Sequence, residues 1–179
     1  MSDESEPCPC ETHTPDGAPG AVSDKEYVIR FIPDRDWLTE DGNGALRLSL
    51  HAFSREDLKG ARGKSVSVLR CITPREEIIR RGKDMSREPS WADDPVIAQA
   101  SVADLRQIHD KCQRREVCVN ADPTDDSDRL GPCPTHAGIL RANPPLDPKQ
   151  RLEWKLLRDK LADKFDKIYH FCSFRPPVP

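Results

Sequence analysis

The stretch Ser65–Gly82, SVSVLRCITPREEIIRRG, joins a strand pattern directly to the start of a helix. Its first part alternates serine with valine, which is typical of a strand with one buried face. In its second part, Thr73 offers an N-cap hydroxyl, Pro74 takes the first helical position, and Glu76 lies at the third helical position, N3. This pattern predicts a helix over 74–81 that ends at Gly82. A strand and a capped helix in such close succession indicate a fold that mixes both kinds of element.

The rest of the chain continues this mixture without a regular strand–helix–strand rhythm. We therefore predict an α+β fold, which is a single compact domain with a small, mostly antiparallel sheet, short helices and a long C-terminal amphipathic helix. Residue propensities and alternation place the elements. The predicted strands are 25–32, 46–50, 65–72, 117–119 and 137–140. Two further helices are predicted. One begins at the capping box of Ser101, and the other spans 148–169.

The predicted C-terminal helix has an apolar stripe on one side. Six large side chains share an arc of roughly 120°, namely Trp154, Leu157, Leu161, Phe165, Ile168 and Tyr169. Leu152 and Leu156 lie opposite this stripe. Two interpretations stay open for them, which are additional core contact between two layers and contact with a partner. On the second interpretation, Leu152 and Leu156 are the predicted partner-binding residues.

The two ends of the chain differ in composition from its middle. Residues 1–24 contain six acidic residues, four prolines and no Lys or Arg. Such a segment cannot bury enough apolar surface to offset the entropy of ordering, so we predict a disordered N-terminal tail over 1–24. Residues 25–171 are predicted to form the α+β domain, and residues 172–179 a short proline-rich tail.

The charge balance bears on the kind of partner. Removing the six acidic residues of the tail from the 31 in the chain leaves 25, against 28 Lys and Arg. A body this close to neutral argues against nucleic acid as the main partner, because phosphate binding requires a basic face. Nucleic-acid binding stays a lesser alternative, and its candidate residues are Arg62, Lys64, Arg70, Arg80 and Arg81.

Composition also bears on location. No apolar run approaches the roughly 18 residues that a membrane span needs, and the acidic N-terminus lacks the features of a secretory signal. The expectation is a soluble, intracellular, cytoplasmic protein without a membrane partner. The seven cysteines are odd in number and scattered, so we expect them to stay thiols in a reducing compartment.

One pattern suggests a metal site. His109-x-x-Cys112 and Cys133-x-x-His136 each pair two zinc ligands at a suitable spacing, and 20 residues separate the pairs. The order His, Cys, Cys, His is unlike the usual zinc arrangements. The competing interpretation is that Cys112 or Cys118 is a small core residue and that the loop backbone forms hydrogen bonds with the ring nitrogens of His136. We therefore expect no cofactor, with zinc as the alternative.

The remaining chemistry is a cysteine nucleophile with a histidine base. Five cysteines and four histidines allow many combinations, and no glycine-rich or catalytic motif selects one. The sequence favours a non-catalytic interaction or accessory protein that binds another macromolecule, with a protein as the expected partner. The alternative is a small zinc-binding or Cys/His-dependent enzyme domain centred on His109, Cys112, Cys133 and His136.

Overall fold

The computed structural model describes residue 11 and residues 14–58, 65–125, 128–142 and 151–174. Strands and helices alternate irregularly along these ranges. The strands are β1 (Tyr27–Ile32), β2 (Leu38–Glu40), β3 (Leu46–Leu48), β4 (Val66–Arg70), β5 (Val96–Ser101), β6 (Val117–Ala121), β7 (His136–Arg141) and β8 (Lys167–His170). The α-helices are α1 (Arg55–Leu58), α2 (Arg75–Met85), α3 (Val102–Arg106) and α4 (Arg151–Lys164). Each helix within these ranges is too short or too polar to cross a bilayer.

Six strands form one sheet in the order β6-β7-β4-β1-β5-β8, and all neighbouring pairs are antiparallel. Strands β2 and β3 form a separate antiparallel pair. The predicted α+β class with a mostly antiparallel sheet is therefore confirmed.

The large sheet is covered differently on its two faces, because successive side chains of a strand point to opposite sides. One face, which we call the α3/α4 face, carries the main core of Val28, Val68, Ala98, Leu105, Trp154, Leu157 and Leu161. The other, which we call the α2 face, carries a smaller core of Ile29, Leu69, Ile78, Ile97 and Phe174.

The helix predicted over 74–81 exists but is longer and starts differently. Helix α2 runs to Met85, so Gly82 lies inside it and does not end it. A Cβ at Gly82 would lie 2.6 Å from Pro95 Cγ and 2.9 Å from Phe31 Cε1, so glycine permits the close approach of α2 to the sheet. The predicted Thr73 cap is wrong, since its hydroxyl donates to the carbonyl oxygen of Arg70 instead.

The second predicted cap is confirmed. Ser101 ends β5 and its hydroxyl oxygen accepts a hydrogen bond from the backbone N–H of Asp104, at the start of α3. This contact lies within one helical turn, so it depends on local sequence alone.

The C-terminal helix is shorter than predicted. Residues 143–150 lie outside the described residues, α4 ends at Lys164, and Lys167–His170 form strand β8 on the edge of the sheet. Trp154, Leu157 and Leu161 are buried as expected. Ile168 and Tyr169 leave the helical stripe because their segment pairs with β5.

Both predicted tails include positions that contact the body. Val22 is buried in the main core, and Phe174 is buried on the α2 face. The domain boundaries at residues 24 and 172 stay a prediction. Of the tail predicted to be disordered, residues 1–10 and 12–13 lie outside the described residues, as do residues 175–179 of the predicted proline-rich tail.

Candidate functional site

The four predicted zinc ligands are not brought together. His109 is exposed and its Nδ1 lies 2.7 Å from the carbonyl oxygen of Gln107. Cys112 is also exposed, at a turn closed by the carboxylate of Asp110. Across the described part of the chain, which includes all four residues, no three His, Cys, Asp or Glu side chains are gathered as a metal site.

The other two predicted ligands belong to the interior. Cys133 is buried on the α2 face, and the side chain of His136 points to the same face from β7. The zinc prediction on His109, Cys112, Cys133 and His136 is therefore not supported by the structure. The physical reason is that each pair of ligands two residues apart is a local pattern in the sequence, whereas a tetrahedral zinc site needs both pairs to converge in space.

Two of the cysteines, Cys71 and Cys172, are poorly suited to nucleophilic catalysis. Burial raises the pKa of the Cys71 thiol to about 12, and the hydrogen bond with Asp94 raises the pKa of Cys172. A raised pKa lowers the thiolate fraction, and the thiolate is the nucleophile. Cys118 is disulfide-bonded, so the prediction that all cysteines stay thiols is wrong there. Composition counts cysteines but does not show which of them approach another sulfur.

A different pair of residues has the geometry of a nucleophile and its base. Ser67 on β4 and His136 on β7 lie on neighbouring antiparallel strands, and Ser67 Oγ is 2.5 Å from His136 Nε2. Ser67 is exposed, whereas His136 is only 8% exposed. From the opposite face, Arg30 Nη1 donates to the Ser67 carbonyl oxygen at 2.7 Å and holds the strand in place.

The other ring nitrogen decides the proton position. His136 Nδ1 lies 2.5 Å from the carbonyl oxygen of Asp122. Because a carbonyl oxygen only accepts hydrogen bonds, Nδ1 carries the proton in the neutral ring and Nε2 accepts from the Ser67 hydroxyl. The prediction that the loop backbone binds His136 is confirmed at Nδ1, and a serine side chain binds the second nitrogen.

A carboxylate lies beside this ring. Asp122 Oδ2 is 3.7 Å from His136 Nδ1, and the Ser65 hydroxyl donates to the same oxygen at 3.0 Å. Gly138 makes room for this arrangement, since a Cβ there would collide with Ser65 and lie 3.2 Å from Asp122 Oδ2.

The Ser67–His136 pair opens into a cavity of about 170 Å³ between β4, α2 and the loop that precedes β7. Arg81 fixes this loop from α2 through hydrogen bonds to the carbonyl oxygens of Gly131 and Pro132. The lining of the cavity is mostly apolar, and Arg81 and Asp128 are its charged residues. The apolar residues are Phe31, Val68, Leu69, Met85 and Leu130. Sequence reasoning missed Ser67, because nothing in the local pattern of β4 shows that β7 is its neighbour.

The predicted partner-binding leucines lie on the surface of α4. Leu152 is 68% exposed and Leu156 is 48% exposed, while Trp154 and Leu157 of the same helix are fully buried. Leu152 and Leu156 are four residues apart and therefore lie on one side of the helix. Neither leucine is buried in the part of the chain that the structure describes. The interpretation that Leu152 and Leu156 make additional core contact is therefore wrong.

The arginines considered for nucleic acid are largely engaged within the chain. Arg70 is buried and forms a bidentate ion pair with Glu26, with both N···O distances 2.7 Å. Arg81 is buried against Glu77, and Arg80 pairs with the same carboxylate. Arg62 and Lys64 lie outside the described residues.

Three side chains occupy the outer edge of β6. Glu11 is nearly buried between Arg106 and Arg115, and its carboxylate accepts the backbone N–H of Val119 at 2.7 Å. Arg115 Nε donates to the carbonyl oxygen of Val117 at 2.8 Å, and Arg106 donates to that of Val119 at 3.3 Å. These contacts use the backbone groups with which an added strand would pair.

Comparison with known proteins yields no family model, no curated relative and no solved structure that matches the chain.

Proposed function

We propose that this chain is an interaction protein that binds a protein partner through the outer face of α4. The observation that carries the proposal is the exposure of Leu152 and Leu156 on one side of that helix. Exposed leucines scattered singly are normal on a protein surface. Two large apolar side chains at i and i+4 form the kind of pair that anchors a helix in a groove.

The helix is held firmly enough to present these leucines. Its inner side places Trp154, Leu157 and Leu161 in the main core. Lys160 Nζ donates to the carboxylate of Glu116 and to the carbonyl oxygen of His109, both at 2.7 Å. A helix that is fixed before binding loses little conformational entropy when a partner covers its outer side.

The occupant that fits this surface is a partner protein with an apolar groove. Burying the exposed parts of both leucines would contribute about 2 kcal/mol, or a roughly 30-fold change in affinity. The edge of β6 is less suited to binding a partner by strand addition, because Glu11, Arg106 and Arg115 already occupy its backbone groups.

The test compares substitutions at two surface positions of similar exposure. Leu156→Glu is the test variant and Ile72→Glu, at a residue 51% exposed before α2, is the matched control. A photo-crosslinking residue at position 156 or 72 of the full chain, expressed in its native source, captures neighbouring proteins for mass spectrometry. We expect position 156 to crosslink a defined protein that position 72 does not.

In a pull-down with the tagged full chain, Leu156→Glu should weaken and the double variant Leu152→Glu/Leu156→Glu should lose the capture of that protein, while both keep the far-UV circular dichroism spectrum and melting temperature of the wild type. Ile72→Glu should keep it. Retention of the same protein by the double variant contradicts the proposal. Unfolding of the double variant also contradicts it, since the leucines would then support the fold. A crosslink only between two copies of this chain would exclude a separate partner protein.

A further inference from the structure

We propose that Ser67 is a nucleophile with His136 as its general base, and that this site hydrolyses small carboxylic esters. The proposal goes beyond the α4 surface and does not depend on it. It rests on three features, which are the hydrogen bond between Ser67 and His136, the contact of the Asp122 carbonyl oxygen with His136 Nδ1, and the cavity beside them.

The first two features prepare the serine for reaction. Ser67 Oγ and His136 Nε2 are 2.5 Å apart, within the reach that proton transfer requires. The carbonyl oxygen of Asp122 fixes the proton on Nδ1 and so keeps Nε2 free to accept a proton from Ser67. A nucleophile, a base within hydrogen-bond distance and a third group that orients the base are the features that identify an activated serine.

The third feature is space for a substrate at the serine. Ser67 is exposed to the cavity of about 170 Å³, and Phe31, Leu69 and Met85 supply apolar surface for a short acyl chain. Arg81 lines the same cavity as Ser67, and its guanidinium is the group that we assign to the oxygen of a bound ester. A donor beside the reacting carbonyl stabilises the negative charge that develops on its oxygen.

The reaction balances without a cofactor. Ser67 Oγ forms a bond to the carbonyl carbon of the ester, and its proton moves to His136 Nε2. The bond from that carbon to the leaving oxygen breaks, and the proton passes from Nε2 to this oxygen, which departs as an alcohol. Water then forms a bond to the acyl carbon and gives a proton to Nε2, the bond from that carbon to Ser67 Oγ breaks, and the proton passes from Nε2 to Oγ. The products are one carboxylic acid and one alcohol.

The experiment uses the full chain and two probes, a fluorophosphonate reporter and p-nitrophenyl acetate. The fluorophosphonate forms an Oγ–P bond with an activated serine as fluoride leaves. We expect one equivalent of label on the tryptic peptide that contains Ser67, and release of p-nitrophenol above the rate in buffer. Ser67→Ala should abolish both signals, and it should keep the fold because Ser67 is exposed.

Matched controls separate this site from its surroundings. Ser173→Ala removes an exposed hydroxyl that does not line the cavity and should keep labelling, as should Leu152→Glu/Leu156→Glu, so failure here and failure of the α4 proposal are distinguishable. His136→Gln should slow labelling at least about 100-fold, the usual contribution of a general base. Should His136→Gln lose its far-UV spectrum, the Ser67→Ala comparison alone decides. Absence of label on Ser67, under conditions that label a known serine hydrolase completely, overturns the proposal. Equal labelling of a folded His136→Gln variant also overturns it.

Discussion

Replacing Gly82 by alanine should destabilise the protein, although alanine is the better helix former. Gly82 lies inside α2, where helix propensity alone predicts that alanine stabilises by about 1 kcal/mol. The added Cβ would lie 2.6 Å from Pro95 Cγ, 2.7 Å from Pro95 Cβ and 2.9 Å from Phe31 Cε1. The proline ring is rigid and the Phe31 ring is buried, so neither neighbour can move away freely.

Overpacking of this kind costs about 1–3 kcal/mol. With contacts this short we take the upper end, so the net loss after the propensity gain is about 2 kcal/mol, or a fall of roughly 4–8 °C in Tm for a chain of this length. Urea unfolding followed by far-UV circular dichroism and by tryptophan fluorescence measures the change. Gly42→Ala is the control, because a Cβ there meets nothing within 4 Å. A Gly82→Ala variant as stable as the wild type, or more stable, would show that α2 does not approach the sheet this closely.

Two further predictions concern ionisable groups. Burial alone would raise the pKa of Glu26, but hydrogen bonds from Arg70 outweigh it and hold the pKa below its ordinary value. The stabilisation from this ion pair is therefore fully present above the pKa that Glu26 has in the unfolded chain. It is lost as the pH falls through the lower pKa of Glu26 in the folded chain. Glu26→Gln should cost about 2 kcal/mol at pH 7 and progressively less below about pH 4, as measured by urea unfolding across this range; a pH-independent loss would refute the ion pair as its cause. With a pKa near 12, Cys71 is about one part in ten thousand thiolate at pH 8, so iodoacetamide should modify the exposed Cys112 in the native protein and leave Cys71 intact by mass spectrometry. Equal modification of both would contradict the burial of Cys71.

Features that depend on residues close together in the chain could be predicted without the structure. The alternation in Ser65–Gly82 and the apolar residues of Tyr27–Ile32 were sufficient for two central strands, because the two-residue period follows from strand geometry. Ser101 was sufficient for the start of α3, because its hydroxyl oxygen meets an N–H three residues later. The inner and outer sides of α4 likewise followed from 3.6 residues per turn. The α+β class results from these local features together.

Tertiary structure alone decided which distant residues meet. The local pattern of Lys167–His170 suited a helix as well as a strand, and pairing with β5 made it a strand. The sequence predicted that Gly82 ends a helix. In the structure it lies inside α2, where the close approach of Pro95 leaves no room for a Cβ.

The candidate site shows the same division. Ser67 and His136 are 69 residues apart in the chain, and only the strand order places β4 beside β7. Conversely, Cys112 and Cys133 carried a plausible ligand spacing, yet one is exposed at a turn and the other is buried on the α2 face. The physical reason is that residue spacing in a sequence shows whether a segment has a helical or a strand period, but does not show the order in which the strands pair. The Ser67–His136 site and the predicted zinc site both depend on that order.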